Sequence, residues 1–245
     1  MPLEVHPHVT FLKTIKTPEQ RSPEWYERRK SLMTASNCAA AIGIKPFESF
    51  VGCPRQACID QIVGGTFKGN VATRHGCEYE DHIRDLFDAI MGTATEEYGL
   101  LTHDQVHENG FTWLGASPDG ITSCGSMVEI KAPYRRKIVP GEIPHHYFPQ
   151  VQVQMEVCDL DLTYFVEWQP SHLSHNGKEI LNIVPIERDR AWFEMHREAL
   201  YKFFCDLQIA RENYVPPPPP QCLIRPNLYE NLHKRARIIN SLFME

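Results

Sequence analysis

The sequence predicts an α/β fold, with a central mixed sheet of about five strands flanked by helices. Two observations support this. Apolar residues recur with the ~3.6-residue period of a helix from Cys77 to Met91, and Gly92 ends the pattern. Farther along, four short segments are rich in β-forming residues. The 245 residues, 42% hydrophobic and 23% charged, suffice for one substantial domain with a small appendage and exclude wholesale disorder.

Three further helices are predicted. Ser22-Pro23-Glu24 has the pattern of a helix start, with a serine cap before proline. Thr34-Ala35-Ser36 predicts a second cap, followed by a run of small residues that stops at Gly43. A long helix is predicted over Asp189 to Glu212, where apolar side chains form a broad stripe.

The four strands are predicted as two pairs. Phe111 to Ala116 and Met127 to Ala132 are interpreted as a hairpin-like pair joined across Pro118-Asp119-Gly120. Leu162 to Trp168 and Glu179 to Ile186 are interpreted as an antiparallel pair, because an Asn-Gly turn signal lies between them.

The segment Gln150 to Gln154 alternates like a half-buried strand. We nevertheless interpret it as a helix, because the strand that begins at Leu162 needs a crossover before it. On a helix, Gln150 and Gln154 share one face.

The run Pro216 to Pro220 marks a predicted boundary, since consecutive prolines form a stiff spacer and no helix. We expect one domain over residues 1–215, a polyproline linker over 216–220 and a small tail helix over 221–245.

The charge is unevenly distributed. The chain has 25 Lys and Arg against 31 Asp and Glu, a net charge of -6 that superficially argues against a nucleic-acid partner. However, the stretch from Glu78 to Glu108 contains nine acidic residues and one basic residue, Arg84. The remainder is close to neutral and has local basic clusters at Arg28-Arg29-Lys30 and Arg135-Arg136-Lys137.

We expect an intracellular protein of the cytoplasm or nucleus that is neither secreted nor bound to a membrane. The N-terminal residues do not resemble a signal peptide, and no run of about 18 apolar residues occurs. The 8 cysteines lack zinc-finger spacing, and reduced thiols are the simplest interpretation.

The candidate site is Pro118-Asp119-Gly120 followed by Glu129-Ile130-Lys131. Glu129 and Lys131 share one face of a strand, while Val128 and Ile130 occupy the other. A hairpin-like return brings Asp119 close to Glu129, and two adjacent carboxylates require a compensating cation. A divalent ion such as Mg²⁺ fits oxygen ligands and can activate water for phosphodiester hydrolysis. Lys131 would orient or deprotonate that water and stabilise developing negative charge.

Each motif also has an ordinary structural interpretation. Pro-Asp-Gly is a common turn, and Glu-x-Lys on a strand is a common exposed pair. Glu80 favours the functional interpretation, because it lies on the apolar side of its helix with Ile83 and Phe87, where an unpaired carboxylate is costly. A metal ion or a basic partner is expected beside Glu80; the alternative is a glutamate at the edge of the stripe that reaches solvent.

The motifs of this chain, and their order, resemble those of the PD-(D/E)XK nucleases, specifically the lambda-type exonucleases and YqaJ-like viral recombinases. The resemblance extends from Ser22 to Phe204 and is specific because six motifs occur in the family's order. These motifs are Trp25 with Arg29 and Thr34-Ala35-Ser36, Gly76 through Glu80 to Phe87, Ser117-Pro118-Asp119-Gly120, Glu129-Ile130-Lys131-Ala132-Pro133, Gln150-Val151-Gln152, and Ile186-Glu187-Arg188-Asp189.

The resemblance implies a divalent metal ion, Mg²⁺ with Mn²⁺ as a substitute. Asp119, Glu129 and the backbone carbonyl of Ile130 would hold it, and Glu80 would complete the site. Lys131 would be the catalytic lysine that acts on the attacking water.

The resemblance also implies residues that contact water and DNA. Gln150 matches a glutamine that supports the attacking water and the lysine. Gln152 is a weaker match and is expected among the residues that contact DNA. A pocket for the terminal 5′-phosphate is matched by Arg29, Thr34 and Ser36, and guanidinium and hydroxyl groups suit a phosphate dianion. Arg135, Arg136 and Lys137 are expected to bind the DNA backbone, and a solvated loop is the alternative.

The implied function is 5′→3′ exonuclease activity on double-stranded DNA ends, which leaves 3′ single-stranded overhangs for recombination or repair. The implied partners are a strand-annealing protein and further copies of the chain in a ring. Two alternatives remain: a structure-specific or site-specific endonuclease on the same fold, and a catalytically silent DNA-binding or scaffolding protein. Arg29, Thr34 and Ser36 favour the exonuclease over the endonuclease, and the intact Asp119, Glu129 and Lys131 argue against a silent protein.

Overall fold

The computed structural model describes residues 5–65 and 69–216. The described residues up to Tyr214 belong to one compact unit. The predicted tail helix and all of the predicted linker except Pro216 lie outside the described residues. Within those two ranges, no helix has the length and apolar character needed to cross a membrane.

The described residues contain eight α-helices and eight strands, numbered in chain order. The helices are α1 (Pro7–Leu12), α2 (Pro23–Lys30), α3 (Cys38–Ala41), α4 (Pro54–Gly64), α5 (Val71–Met91), α6 (His103–Val106), α7 (Phe148–Cys158) and α8 (Arg190–Glu212). The strands are β1 (Met33–Thr34), β2 (Thr95–Glu96), β3 (Leu101–Thr102), β4 (Leu114–Ala116), β5 (Gly120–Thr122), β6 (Met127–Lys131), β7 (Leu162–Gln169) and β8 (Ile180–Glu187). A short 3₁₀ helix, Ala35–Asn37, precedes α3.

Side-chain caps fix the starts of three helices. The Ser22 hydroxyl accepts a hydrogen bond from Trp25 N at 3.2 Å, which confirms the predicted start of α2. Asp189 caps α8 in the same way. Helix α5 begins at Val71 instead of Cys77, because Asn70 Oδ1 accepts from Thr73 N at 2.9 Å. The first turns of α5, residues 71–76, are mostly exposed and carry no apolar stripe, so apolar periodicity does not reveal them.

Five strands form the central mixed sheet, in the order β2-β5-β6-β7-β8. Strands β6 and β7 are parallel, and the other neighbours in this sheet are antiparallel. This arrangement confirms the predicted mixed sheet and the predicted antiparallel pairing of β7 with β8. A second sheet of three strands, in the order β1-β4-β3, was not expected from the sequence.

The predicted hairpin-like pair of β4 and β6 is wrong. Strand β4 lies between β1 and β3 in the small sheet, and the partner of β6 is β5, with Gly120 opposite Val128. Pro118 has no N–H to continue a ladder, so the chain leaves the small sheet there and enters the large one. The hairpin turn lies later, at Gly125, whose φ of 89° suits glycine. The antiparallel register still brings Asp119 opposite Glu129.

Helices cover both faces of the central sheet. On one face, Ile83 and Phe87 of α5 pack with Val128, Ile130, Val166 and Trp168. On the other face, α7 belongs to the larger core that includes Met127 and Phe165. The helical state of Gln150 to Gln154 is confirmed. Because Glu129 alternates with Val128 and Ile130 on β6, its side chain faces α7.

Candidate active site

Asp119 and Glu129 meet where β6 extends beyond the end of β5. Asp119 Oδ2 accepts a hydrogen bond from Ile130 N at 2.8 Å. Strand β5 begins at Gly120, so among the described residues β6 has no neighbouring strand on this side beyond that point. The side chain of Asp119 takes the place of a strand partner there. Within the described part of the chain, no group donates a hydrogen bond to Asp119 Oδ1, and this oxygen is available to a ligand.

Glu129 is held by three donors in a buried position. Its side chain is 1% exposed, Lys131 Nζ and Gln150 Nε2 donate to Oε1, and Gln154 Nε2 donates to Oε2 at 2.7 Å. Burial raises the pKa of Glu129 to about 7, and the neighbouring charge of Asp119 acts in the same direction. Lys131 and Gln154 partly offset this effect. An additional cation would stabilise the ionised carboxylate.

Lys131 is a cation between the two carboxylates. Its Nζ lies 4.0 Å from Asp119 Oδ2 and 5.3 Å from the centre of the Tyr147 ring. Burial alone lowers the pKa of Lys131, but the charges of Glu129 and Asp119 outweigh this effect and raise it. The protonated state favours orientation of water and charge stabilisation over deprotonation of water.

Glu80 faces two arginines, as expected for a carboxylate on the apolar side of α5. It is 8% exposed, its carboxylate contacts the Arg21 guanidinium, and Arg84 Nη2 lies 3.5 Å away. Burial raises the pKa of Glu80, and the charge of Asp119 raises it further. Arg84 also donates to the backbone oxygen of Asp119 at 3.2 Å, which ties α5 to the turn before β5.

The donor chemistry fits a hard divalent cation. No three His, Cys, Asp or Glu side chains in residues 5–65 and 69–216 lie close enough together to hold one metal ion. Glu80, Asp119 and Glu129 instead contact or approach the protein's own cations. Their oxygens are the ligands that Mg²⁺ prefers, and the raised pKa values of Glu80 and Glu129 reflect negative charge that lacks solvent.

Arg29 forms a second polar pocket with two hydroxyl groups. Its Nη2 donates to Thr34 Oγ1 at 3.2 Å and to Ser36 Oγ at 3.0 Å, and its guanidinium lies 4.3 Å from the centre of the Trp25 ring. Burial lowers the pKa of Arg29 to about 10, and no described carboxylate pairs with it. An anion would offset this cost. Thr34 does not cap the following helix, contrary to expectation, so its hydroxyl is available to Arg29.

The Arg29 pocket and the carboxylates face the same cleft. This cleft of about 920 Å³ is lined by Arg29, Ser36, Asp119, Glu129, Lys131 and Gln150, among others. An adjoining cleft of about 430 Å³ contains Glu80, Ile130 and Arg136 and shares Arg21, Asp119 and Lys131 with the first. The predicted metal-site residues therefore line these two adjoining clefts, but their side chains do not form a closed set of ligands.

Gln152 is the predicted site residue that the structure places elsewhere. It is 1% exposed; its Nε2 donates to Glu187 O at 2.9 Å, and its Oε1 accepts from Asp189 N at 2.7 Å. On a helix, residues two positions apart point in different directions, so Gln152 faces away while Gln150 and Gln154 face Glu129. The expectation that Gln152 contacts DNA is therefore wrong.

The basic segment after β6 divides into two parts. Arg136 lines the smaller cleft, and its guanidinium pairs with the fully buried carboxylate of Glu167, which also accepts from Asn182 Nδ2 at 3.1 Å. Arg135 and Lys137 are exposed and line neither of these two clefts.

Three neighbours of the site, Arg84, Arg21 and Tyr147, were missed by the sequence interpretation, and Gln154 was placed on the face of Gln150 without being assigned to the site. Arg84 follows Glu80 by four positions, so helical i,i+4 spacing could have identified it. Arg21 and Tyr147 lie outside the periodic segments, and no sequence pattern indicates them.

The metal-free protein is expected to lose stability as the pH rises from about 4.5 to about 7. The pKa of Glu129 is about 7 in the folded state, against an ordinary value of 4.5. In this window the folded chain holds a proton that the unfolded chain has lost, so the free energy of unfolding falls with rising pH. Thermal denaturation in EDTA across this range measures the slope. Glu129→Gln should flatten it, and an unchanged slope in that variant would assign the effect to other groups.

The sequence matches the YqaJ-like viral recombinase domain over residues 24–161. The matched range is more than half of the chain and contains Arg29, Glu80, Asp119, Glu129 and Lys131.

Two viral proteins are similar in sequence. An uncharacterized protein of Acanthamoeba polyphaga mimivirus is 31% identical over 174 residues, which cover 64% of this chain and 30% of that protein. A protein of African swine fever virus is 26% identical over 178 residues, which cover 58% of this chain and 48% of that protein. The chain therefore spans less than half the length of each of these relatives.

Two solved structures share the fold. The alkaline exonuclease LHK-Exo from Laribacter hongkongensis has a TM-score of 0.61 and 26% sequence identity, covering 78% of this chain and 95% of that chain. A phage-related exonuclease from Haemophilus somnus has a TM-score of 0.53 and 17% identity, covering 75% and 96% of the two chains, and this likeness concerns the fold alone.

Proposed function

The chain belongs to the YqaJ-like viral recombinase domain family, within the PD-(D/E)XK superfamily, and on this premise we propose that it is a divalent-metal-dependent DNA exonuclease. One observation carries the proposal. A single cleft contains both a cationic hydroxyl-lined pocket around Arg29 and the constellation of Asp119, Glu129 and Lys131. A phosphate held in the first would place neighbouring DNA phosphates beside the second.

We propose Mg²⁺ as the cofactor, with Mn²⁺ as a substitute, held by Glu80, Asp119, Glu129 and the carbonyl of Ile130. Such an ion polarises a phosphoryl oxygen and lowers the pKa of bound water. For the ion to bind all these groups, Arg21 and Lys131 must yield part of their present contacts with the carboxylates.

The protein side chains supply orientation and charge. Lys131 carries a protonated amine at the cleft wall, where it can donate to the attacking water and to the developing negative charge on phosphate. Gln150 and Gln154 each bind one oxygen of Glu129 and therefore fix the plane of its carboxylate. This arrangement prepares the site before substrate enters, which lowers the cost of organising it during the reaction.

We propose 5′→3′ action on double-stranded ends, leaving 3′ overhangs for recombination or repair inside the cell. The Arg29 pocket supports action at DNA ends, because a terminal phosphate carries more negative charge than an internal phosphate and suits a partly buried guanidinium. The 5′→3′ direction rests on family likeness. A strand-annealing protein and a ring of identical subunits belong to the same proposal and rest on family likeness. The name of LHK-Exo, an alkaline exonuclease of the same fold, supports the activity.

Three DNA substrates test the proposal: linear duplexes with 5′-phosphate or 5′-hydroxyl ends, and a covalently closed circle. The exonuclease should digest the phosphorylated duplex fastest, the hydroxyl duplex more slowly and the closed circle not at all. Efficient cutting of the circle would favour the endonuclease alternative, and binding without cutting of any substrate would favour a silent DNA-binding protein.

Arg29→Gln is expected to remove the preference for a 5′-phosphate. A hydrogen bond to a charged group contributes about 1.5–3 kcal/mol, so digestion of the phosphorylated duplex should fall by roughly 10- to 100-fold. Digestion of the 5′-hydroxyl duplex should change little. The control is Lys30→Gln on the same helix, since Lys30 is exposed and pairs only with Glu27 among the described residues. Retention of the full phosphate preference in Arg29→Gln would rule out the pocket.

A further inference from the structure

Arg21 is a cleft residue that lies before the matched family range. It precedes α2, and its side chain contacts Glu80 at the junction of the two clefts, both of which it lines. Its side chain is 45% exposed, whereas those of Glu80 and Arg84 are 11% and 13% exposed. Among the three charged groups, Arg21 is therefore the one with free space to move into.

The backbone at Arg21 is fixed although the side chain is open to solvent. Its φ of 63° is in the left-handed region, which is unfavourable for a residue with a Cβ. The neighbours on both sides are anchored. Gln20 Nε2 donates to Tyr98 O at 2.9 Å and to Pro118 O at 3.1 Å, and Ser22 caps α2. These anchors fix the backbone of Arg21 beside Glu80, whereas its exposed guanidinium is able to rotate away from Glu80.

Glu80 has a second cation that does not depend on Arg21. Arg84 lies four residues later on the same helix, at 3.5 Å, and is tied to Asp119 O. A divalent ion at Glu80 and Asp119 would add positive charge within a few ångströms of Arg21, and like charges at such distances repel strongly when solvent is partly excluded. Arg84 is mostly shielded from solvent and tethered to Asp119 O, so Arg21 is the group that yields.

We propose that Arg21 binds a DNA phosphate and is held on Glu80 only while the metal site is empty. When a divalent ion binds, the guanidinium leaves Glu80 and pairs with the backbone of the DNA in the cleft. This inference rests on the proposed function, because it requires both a metal ion and DNA at this site. The inference gives the cleft an additional DNA contact, from a residue that precedes the range matched by the family.

The test compares Arg21→Gln, Arg21→Lys and the parent chain in two binding measurements that do not depend on cleavage. Calorimetric titration with Mg²⁺ alone measures metal affinity. Fluorescence anisotropy with a 5′-phosphorylated duplex carrying phosphorothioate linkages, in Ca²⁺ at several salt concentrations, measures DNA affinity. Lys13→Gln, which removes one exposed positive charge that pairs with Glu96, is the matched control.

Arg21→Gln should bind Mg²⁺ about 3- to 10-fold more tightly, because the competing cation is gone. It should bind DNA about 3- to 10-fold more weakly, and the slope of log affinity against log salt should shrink by about one. Arg21→Lys should restore most of the DNA affinity and the salt slope, whereas Lys13→Gln should match the parent in both measurements.

Two results would overturn the inference. If Arg21→Gln weakened Mg²⁺ binding together with DNA binding, Arg21 would be a structural partner of Glu80. If Arg21→Gln matched the parent in both measurements, Arg21 would have no part in binding. If the parent itself bound neither Mg²⁺ nor DNA, the proposed function would fail as well, and this outcome is separate from the other two.

Discussion

Glu129→Gln is expected to reduce DNA cleavage by about 10³-fold or more, the scale seen when one essential electrostatic group is removed. The substitution keeps the shape of the side chain and removes the charge that the proposed metal ion needs. Because Lys131 loses its charged partner and a glutamine amide can accept on one oxygen only, where Glu129 accepts on two, the melting temperature is also expected to fall. Rates of nucleotide release and thermal denaturation together measure both effects.

The matched control for this variant is Glu198→Gln, an exposed position on α8. It removes the same charge outside the site and should retain the parent rate. If Glu129→Gln digested DNA within about threefold of the parent, a difference below 1 kcal/mol, Glu129 would not belong to the active site.

Lys131→Met is expected to slow cleavage by about 10²- to 10⁴-fold while DNA binding is retained, the range for a group that positions water or stabilises transition-state charge. The long apolar side chain of methionine keeps the packing near Tyr147. Single-turnover cleavage rates and DNA anisotropy separate the chemical step from binding. A parallel loss of binding and cleavage would make Lys131 a substrate-holding residue only.

Lys131→Met leaves Glu129 with one cationic neighbour fewer, which is costly for a buried carboxylate and can impair folding. Lys131→Arg provides a second variant that retains the charge. It should fold like the parent and regain little activity, because a planar guanidinium places its donors differently from a compact amine. Full activity in Lys131→Arg would show that charge alone suffices.

The periodic spacing of apolar residues predicted β6 and α5, the two elements that carry Glu129, Lys131 and Glu80. Alternation on β6 placed Glu129 and Lys131 opposite Val128 and Ile130, and the structure confirms that α5 packs on the apolar pair. The helical period placed Glu80 on the buried side of α5, where it lies. These predictions succeed because burial of apolar side chains imposes the period of each element on the sequence.

Pairing between distant segments could not be predicted in the same way. The β-forming residues from Phe111 to Ala116 indicate a strand, but they do not reveal which strand lies beside it, and β4 pairs with β1 and β3. The turn before Gly120 leads from one sheet to another, although its sequence also suits a simple hairpin. Local turn chemistry specifies the bend and leaves the partner undetermined.

The sequence also did not indicate which arginine pairs with the buried carboxylate of Glu80. Arg21 reaches Glu80 across 59 positions in the chain, and its contact depends on how the segment before α2 docks on Tyr98 and Pro118. The net charge of -6 was a poor guide to the partner for the same reason. What matters is the local arrangement, in which the buried Glu129, the partly buried Asp119 and a solvent-poor arginine line one cleft.

Digestion of an end-labelled DNA duplex measures whether the cleft around Glu129 is a metal-dependent exonuclease site. A linear duplex with a 5′-terminal label is incubated with the parent chain or with Glu129→Gln, in Mg²⁺ or in EDTA. The parent is expected to release the label as a mononucleotide in Mg²⁺ only, and Glu129→Gln is expected to release almost none. Equal release in EDTA, or equal release by Glu129→Gln, would contradict a metal-dependent exonuclease site built on Asp119, Glu129 and Lys131.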